Sequence, residues 1–531
     1  MATHTWIVII PPLLVLLSVL ITRRMILSFL VGIVSSALIV TQGAIYPALL
    51  LITKRFGESS GLDKIYSWQA LWTNWNLSIF IFLLSLGILI TLLQRSGSTQ
   101  AFIQLAQKRV KSKQSAEVTS LLLSLAFFID DYFSALTVGS VMRPLAAAYR
   151  VPSVKLAFLV TALASPISIL SPLSSWVGEI IAQLRQVGIA KAPDAVIAAD
   201  PFYVFLKSIP FIFYAFLMIF SAWYIVLRNI SYGPMAVYEE HETVPTPLIH
   251  KEETQSVSIF YFAFPLLLLI GLVFTTLLAT GGYTLFGGTS SLLEALKNGS
   301  IQQAFLVSGI GTLLISFPFF WLHGRIAIND MGSLIWQGAW LMIPSIIMLV
   351  HAWTLSVILK ADLQTGTYFA SLFCAVVCIN LLPLMSFITS ALIAYMIGSA
   401  WATMGLMFPI VIPILKVLVQ LPTGAPLEAV PLALPAIGAT LSGCIIGTHL
   451  SFIADNPIMA ATSSGAPHFE LMKAMTWYVL PVGISTALAY WVLGIFFASW
   501  GLLHSLIFGL ITGILAVVLL FEIAQWLFGK K

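Results

Sequence analysis

Charge is the first thing this chain lacks. Asp, Glu, Lys and Arg make up 8% of its 531 residues, against about 25% in a soluble globular protein. With 59% of the residues hydrophobic, too much apolar surface remains for a soluble domain of any class. Cysteine is nearly absent. Cys374, Cys378 and Cys444 are the only three, all in apolar stretches, which excludes a disulfide framework and leaves small packing residues rather than a metal pair. The alternating ten-residue pattern of an outer-membrane barrel is missing. So are a P-loop, an HExxH helix and a metal-spaced Cys/His set, so neither an enzyme nor a cofactor is expected. No basic residue precedes the first apolar stretch, Trp6 to Ile21, and Arg23-Arg24 follows it. That is the reverse of a cleavable signal, so this stretch reads as a permanent span.

What is present is a series of long apolar runs, at 6–22, 26–52, 77–94, 116–141, 154–170, 203–227, 257–280, 304–322, 333–359, 367–397, 402–420, 429–447, 474–498 and 502–528. They predict an all-α polytopic membrane protein with roughly 11 to 14 crossings or part-crossings. The longest polar stretch, 229–256, holds Pro234, Pro245, Pro247 and the acids Glu239, Glu240, Glu242, Glu252 and Glu253. It reads as a linker between an N-terminal half (1–228) and a C-terminal half (257–531). The net charge of +5 fits basic loops that orient the chain in a bilayer, and nucleic acid is not expected as a partner. Arg95, Lys108, Arg109, Lys111 and Lys113 place their loop inside, which puts the N-terminus outside and suits Lys530-Lys531 inside. Arg143, Arg150 and Lys155 then fall on the wrong side if 116–141 crosses fully.

The stretch FIDDYFSALTVGS from Phe128 lines up with FITSALIAYMIGS from Phe387, an offset of 259 residues. Ser/Pro/Gly-rich interruptions follow in both halves, SPISILSPLSSW (165–176) and GTHLSFIADNPIMAATSSG (447–465). Paired interruptions of this kind point to a transporter binding site.

Asp130 and Asp131 lie in the middle of an apolar run. A carboxylate at bilayer depth costs roughly 2.5–3.5 kcal/mol on insertion scales, so such residues face internal cavities. Helical spacing puts Asp130, Ser134 and Thr137 on one face, with Asp131 about 100° away. Adjacent carboxylates in a low dielectric repel, which favours holding a proton, as a proton-coupled carrier requires. An ion pair with Arg143 is the structural alternative. The first interruption offers Ser165, Ser168, Ser171, Ser174 and Ser175 around Pro166 and Pro172, with freed carbonyls as further oxygen ligands. The second offers Thr448, His449, Ser451, Asp455 and Asn456. A lone His449 is more often packed than proton-carrying. Gly139-Ser140 and Gly398-Ser399 end the two repeated stretches, where backbone could unwind or helices pack closely. Glu179 and Asp362 are expected at membrane boundaries.

FIDDYFSALTVGSVMRPLAAAYRVPSVKLAFL followed by SPISILSPLSSW resembles the signature of NhaC-type Na+/H+ antiporters. IPSIIMLVHAWTLSVILKADLQTGTY (343–368) and GSAWATMGLMFPIVIPI (398–414) are similar to that family's second half, and the resemblance covers roughly residues 77 to 480. It implies the ion-transporter superfamily fold, two inverted repeats each with a re-entrant hairpin, and exchange of Na+ for H+ in a bacterial inner membrane. Some members couple these gradients to small carboxylates such as malate and lactate. The resemblance supports Asp130, Asp131, Ser171, Asp362, Gly398, Ser399, Ser451 and Asp455 as site residues, with Na+ expected at Ser168, Ser171, Ser451 and Asp455. A homodimer is also expected. The family's second hairpin reads Gly-Asp-His-Cys-Ser-Pro-Ile-Ser-Asp-Thr where this chain has Gly447-Thr448-His449-Leu450-Ser451-Phe452-Ile453-Ala454-Asp455-Asn456. One family acid is Thr448 here, so fewer negative charges are expected around the cation.

The reading is a Na+/H+ antiporter working by alternating access, with Asp130, Asp131 and Asp455 exchanging proton for cation. The runner-up is a Na+- or H+-coupled carrier of a small organic acid, its carboxylate met by Arg143 or a helix N-terminus. A passive channel is the rival from another class, separated by proton movement against a gradient.

Overall fold

A computed structural model describes residues 6–529, apart from 23, 62, 64–73, 99–109, 242–257, 366–367, 369–378 and 421. Cys374, Cys378, Lys108, Arg109, most of the 229–256 stretch and Lys530-Lys531 lie outside the described residues. The chain is a multi-pass helical membrane protein. Among the described residues 10 helices are long and apolar enough to cross a bilayer, or 11 if the bent pair Pro201–Phe211 and Phe213–Arg228 is one span.

The N-terminal region holds α1 (Ile10–Thr22), α2 (Met25–Val40), α3 (Ile45–Ser60) and α4 (Trp75–Arg95). The run 26–52 is two helices rather than one, because the chain turns at Gln42 (φ 55°) and Gly43 (φ 87°). No G-x-S-x-G hydrolase motif is expected from the sequence, yet Gly57-Glu58-Ser59-Ser60-Gly61 has that spacing; it is the last turn and C-cap of α3 and not the strand-to-helix elbow of a hydrolase. The 21 residues of α4 span about 31 Å, close to the ~30 Å hydrocarbon core of a bilayer.

The run 116–141 is also two helices, α5 (Lys113–Ala126) and α6 (Asp131–Ala148). Ser112 starts α5 with a capping box, and Asp130 caps α6 by accepting the Phe133 N–H at 2.9 Å. Asp130 is therefore extended backbone outside the helix (φ −153°). It shares no helical face with Ser134 and Thr137, and Asp131 is the first helical residue. The two helices fold back on each other, with Tyr149 Oη donating to Val110 O at 2.8 Å and so joining their open ends. The run 116–141 is therefore not one uninterrupted crossing, which was the condition for the conflict over Arg143, Arg150 and Lys155. Lys155 is buried between Glu117 (2.9 Å) and Glu239 (2.5 Å), and Glu239 also meets Lys113 at 3.1 Å.

There follow α7 (Ser153–Leu170), α8 (Ser175–Gln186), α9 (Pro201–Ser208), α10 (Phe213–Arg228) and α11 (Gly233–His241). The helix α7 runs straight through Pro166 and breaks only at 171–174, beside Pro172. The polar stretch thus begins as an ordered helix, α11, tied down by Glu239. The C-terminal region holds α12 (Phe260–Thr280), α13 (Leu292–Asn298), α14 (Ile301–Leu322) and α15 (Ile328–Val357). After them come α16 (Leu382–Ile397), α17 (Ala400–Leu418), α18 (Ala433–Leu450), α19 (Asp455–Ser464) and α20 (His468–Phe528), which is interrupted at Gly501 (φ 73°). Glycine lets α16 and α18 pack almost backbone to backbone. A Cβ on Gly443 would stand 2.4 Å from the Phe387 carbonyl oxygen, and one on Gly447 2.4 Å from that of Ala391.

The order helix, break, helix, helix, break, helix occurs in both halves, at α5–α8 and α16–α19. The 259-residue offset does not match it. That offset pairs the capping Asp130 with Thr389 inside α16, whereas the break after α16 is at Gly398 and Ser399.

Candidate functional site

Four helices begin around one point: α6 at Asp131, α8 at Ser175, α17 at Ala400 and α19 at Asp455. Their N-termini carry partial positive charge, which favours ionised carboxylates in their first turns. The ends of α7 and α18, with partial negative charge, approach the same point through Ser165 and Thr448.

Asp131 is buried and accepts three hydrogen bonds from neutral donors. Ser165 Oγ donates to Oδ2 at 2.9 Å, Asn456 Nδ2 to Oδ2 at 3.1 Å, and Trp176 Nε1 to Oδ1 at 3.0 Å. Asn456 Nδ2 also donates to Ser165 Oγ at 2.5 Å, so one amide ties α7 and α19 to the acid on α6. Asp130 is equally buried and accepts from Ser175 Oγ at 2.7 Å. Among the described residues no Lys, Arg or His pairs with either acid. The Arg143 alternative does not hold, because its guanidinium lies beside Gly465, twelve residues and about 18 Å along α6 from Asp131.

A cavity of about 20 Å³ lies at this point, room for about one water molecule. Asp131, Ser165, Gly398, Ser399, Thr448, Asp455 and Asn456 line it, together with Tyr132, Trp176 and Trp401. A second, open cleft of about 1100 Å³ reaches Asp130, Tyr132 and Asp455 from the other side, with Arg24 and Arg95 among its walls. Tyr132 and Asp455 line both spaces, and Tyr132 Oη donates to Asp455 Oδ2 at 3.3 Å between them.

Several expected residues stand elsewhere. Ser168, Ser171 and Ser451 do not line the cavity. Ser168 and Ser451 are buried with unpartnered hydroxyls, and Ser171 closes the end of α7. Of the four residues expected to hold Na+, Asp455 alone lines the cavity, and Ser165 lines it instead of the later serines because α7 stays helical past Pro166. Ser134 and Thr137 are buried in α6, and Ser140 bonds back to Leu136 O at 2.7 Å on an exposed face. Gly139 is a packing glycine, with Ser463 Oγ 2.0 Å from where its Cβ would stand, whereas Gly398 (φ 76°) and Ser399 form a true break. His449 is buried with Tyr214 Oη 2.9 Å from its Nδ1 and does not line the cavity. Asp362 forms a two-pronged pair with Arg55 (2.9 and 2.6 Å) and takes no part in the site. Glu179, expected at a boundary, is buried in α8.

The sequence reading missed Trp176, Tyr132 and Trp401. Trp176 directly follows the serine run, and an indole N–H buried beside paired acids needs an acceptor. That signal could have found it.

A model of the Na+/H+ antiporter family matches residues 184–419, from the end of α8 through α17, and the resemblance read from the sequence is shown over that stretch. A protein of Haemophilus influenzae, described only as uncharacterized, is 28% identical over 489 residues, 92% of this chain and 90% of that one. The YdaH transporter of Alcanivorax borkumensis is similar in structure, with a TM-score of 0.51 and 16% identity, covering 86% of this chain and 90% of that chain. MtrF of Neisseria gonorrhoeae has a TM-score of 0.48 and 16% identity, over 92% and 85% of the two chains. The fold is that of a polytopic membrane transporter.

Proposed function

We propose that this chain, a secondary transporter with the Na+/H+ antiporter family's pattern over residues 184–419, exchanges a small monovalent cation, Na+, for protons by alternating access. One observation carries the reading. Asp131 is a buried carboxylate with neutral donors and no paired cation, on the wall of a cavity of about 20 Å³. A buried unpaired charge costs several kcal/mol. The acid therefore takes either a proton or a cation, and the cavity admits one small species at a time. That competition is the chemistry of antiport. Serine and threonine hydroxyls and carboxylates are hard oxygen ligands, suited to a dehydrated alkali cation.

The remaining parts follow from the same geometry. The cleft supplies aqueous access, and the Tyr132–Asp455 hydrogen bond closes it off from the cavity. The breaks after α5, α7, α16 and α18 support a reading in which the halves 1–228 and 257–531 each contain one of two inverted repeats with a re-entrant hairpin, set in an inner bacterial membrane. The cleft favours a second reading. At about 1100 Å³, with Arg24 and Arg95 in its walls, it is large enough for a small organic acid moved together with the cation.

The test is a pH-gradient dequenching assay in proteoliposomes, with Na+, Li+, K+ and dicarboxylates added one at a time. Dequenching by Na+ or Li+ alone is expected. A response to a dicarboxylate alone would replace the antiporter by the acid carrier.

A further inference from the structure

Glu179 is 1% exposed and its carboxyl is half satisfied. Gln183 Nε2 donates to Oε1 at 2.8 Å, while Oε2 is buried with no partner. On the same amide Gln183 Oε1 is also buried with no partner. A carboxylate and an amide in this position leave two acceptors unmet. A proton on Glu179 Oε2 makes that atom a donor, and the side chain already bonded to it carries an unmet acceptor, Gln183 Oε1. The pair therefore lacks a hydrogen rather than an acceptor, which favours the neutral acid over the carboxylate. No described Lys, Arg or His forms an ion pair with Glu179 to hold it ionised instead.

Its place in the fold gives that proton a direction. Glu179 lies three residues after Trp176 on α8, about 4.5 Å further along the axis, and Trp176 holds Asp131. The helix α8 runs antiparallel to α4. Gly178 faces Ile79 and Leu83, and Arg185 lies over the Trp75 ring, 4.6 Å from its centre. The cleft meets α4 at its other end, at Ile90, Thr91, Gln94 and Arg95. So α8 leads from the Asp131 cavity toward the membrane face opposite the cleft. The titratable and charged groups along it are Asp130 at Ser175, Asp131 behind Trp176, Arg185 on Trp75 with Asp200 near it, and Lys360, which donates to Gln186 O at 2.9 Å. The helix α17 approaches Gln183 through Gly405, which also lies against Ala352 of α15, and neither contact carries charge.

We propose that Glu179 is a second proton-carrying group of the transport cycle, paired with Gln183 and standing between the Asp131 cavity and the face opposite the cleft. The inference rests on the proton-coupled reading above. On release the Oε2–H bond breaks and the proton passes to water at that face. The electron pair stays on a carboxylate that keeps the Gln183 N–H.

Two measurements test it on the full-length protein. The first is infrared difference spectroscopy of the purified protein, comparing wild type with Glu179→Gln. A carboxylic-acid band present at neutral pH in wild type and missing from the variant is expected; no difference overturns the proposal whatever the protein transports. The second is the number of protons moved per Na+ in proteoliposomes. Glu179→Gln should move one fewer and keep Na+/Na+ counterflow, while Glu179→Asp keeps the wild-type ratio. An unchanged ratio and pH profile in Glu179→Gln would make the acid structural and overturn the proposal. If wild type itself moves no protons with any cation, the antiport reading fails, and this inference with it. If Glu179→Gln does not fold, the pH titration of the wild-type band and the Glu179→Asp ratio decide.

Discussion

Replacing Asp131 by asparagine removes the charge while nearly preserving the shape. The carboxylate accepts from Ser165 and Asn456 on one oxygen and from Trp176 on the other. An amide oxygen can keep one of those sets, which turns its NH2 toward the other. If the oxygen faces Ser165 and Asn456, the Trp176 N–H loses its acceptor, at about 1–3 kcal/mol for a buried orphan donor. An acid that holds a proton or a cation is not a bare buried charge, so nothing larger offsets that loss, and Asp131→Asn should fold and insert with a modest drop in melting temperature corresponding to at most about 1–3 kcal/mol.

Cation binding does not escape so lightly. A unit charge about 4 Å from a bound cation contributes roughly 4 kcal/mol at an effective dielectric of ~20. At about 1.4 kcal/mol per decade, Na+ affinity should fall roughly a thousandfold. Radioactive sodium binding to the purified variant, beside a thermal melt, measures both expectations. A folded variant that binds Na+ within tenfold of wild type would refute the assignment of Asp131 as the ion-holding acid.

Thr448→Asp puts a third carboxylate into a cavity already lined by Asp131 and Asp455. Like charges favour protonation, so half-maximal exchange should move to higher pH while the Na+ concentration needed for it falls; an unchanged profile would place residue 448 outside the ion site. Lys155→Met leaves Glu117 buried without its cation and Glu239 with Lys113 alone, and should cost about 3–5 kcal/mol, read as a lower melting temperature and protease cleavage near α11. Burial pulls the Glu239 carboxyl up, but Lys155 and Lys113 together bring it below its ordinary value. Its contribution is therefore present at neutral pH and lost as pH falls through that lowered value, so docking of α11 should persist at pH 6 and loosen only under strong acid. Gly443→Ala sets a Cβ 2.4 Å from a backbone carbonyl that no rotamer can move. It should destabilise the α16–α18 contact by about 1–3 kcal/mol, visible as a lower melting temperature in detergent.

The paired acids and both interruptions were legible because charge and proline are rare in this chain, and rare residues carry most of the positional information. The helix ends were less so. Asp130 sits between Ile129 and a helix-forming run, where an acid reads equally as a helical face or as an N-cap, and the cap won because it satisfies the Phe133 N–H. Pro166 and Pro172 look alike in sequence, but packing on α6 and α19 keeps the first inside α7 and only the second marks a break. The 259-residue offset did not match the order of helices and breaks, since two apolar helices align at many offsets. Glu179 was misplaced for a related reason. One acid at the end of a serine-rich stretch resembles a boundary residue until the fold turns α8 back along α4.

On the proposed antiport reading, size and placement together would account for coupling. A cavity of about 20 Å³ is too small for a hydrated ion, so a cation entering it would shed water, and the acids and hydroxyls of its wall would offset that loss. A proton on Asp131 would remove the attraction and a cation there would disfavour the proton, so the proposal asks only that the cavity alternate between faces. The cleft side is closed by one long hydrogen bond, Tyr132 to Asp455 at 3.3 Å, joining α6 to α19. The opposite side is closed by α8, packed against α4 through Gly178. Beside that bond Asn456 holds α19 to Asp131 on α6 and to Ser165 on α7, and one turn or more further on Ser463 Oγ donates to Ala135 O at 2.7 Å. Opening toward the cleft therefore requires parting Tyr132 from Asp455 while the Asn456 bonds keep the acid in register.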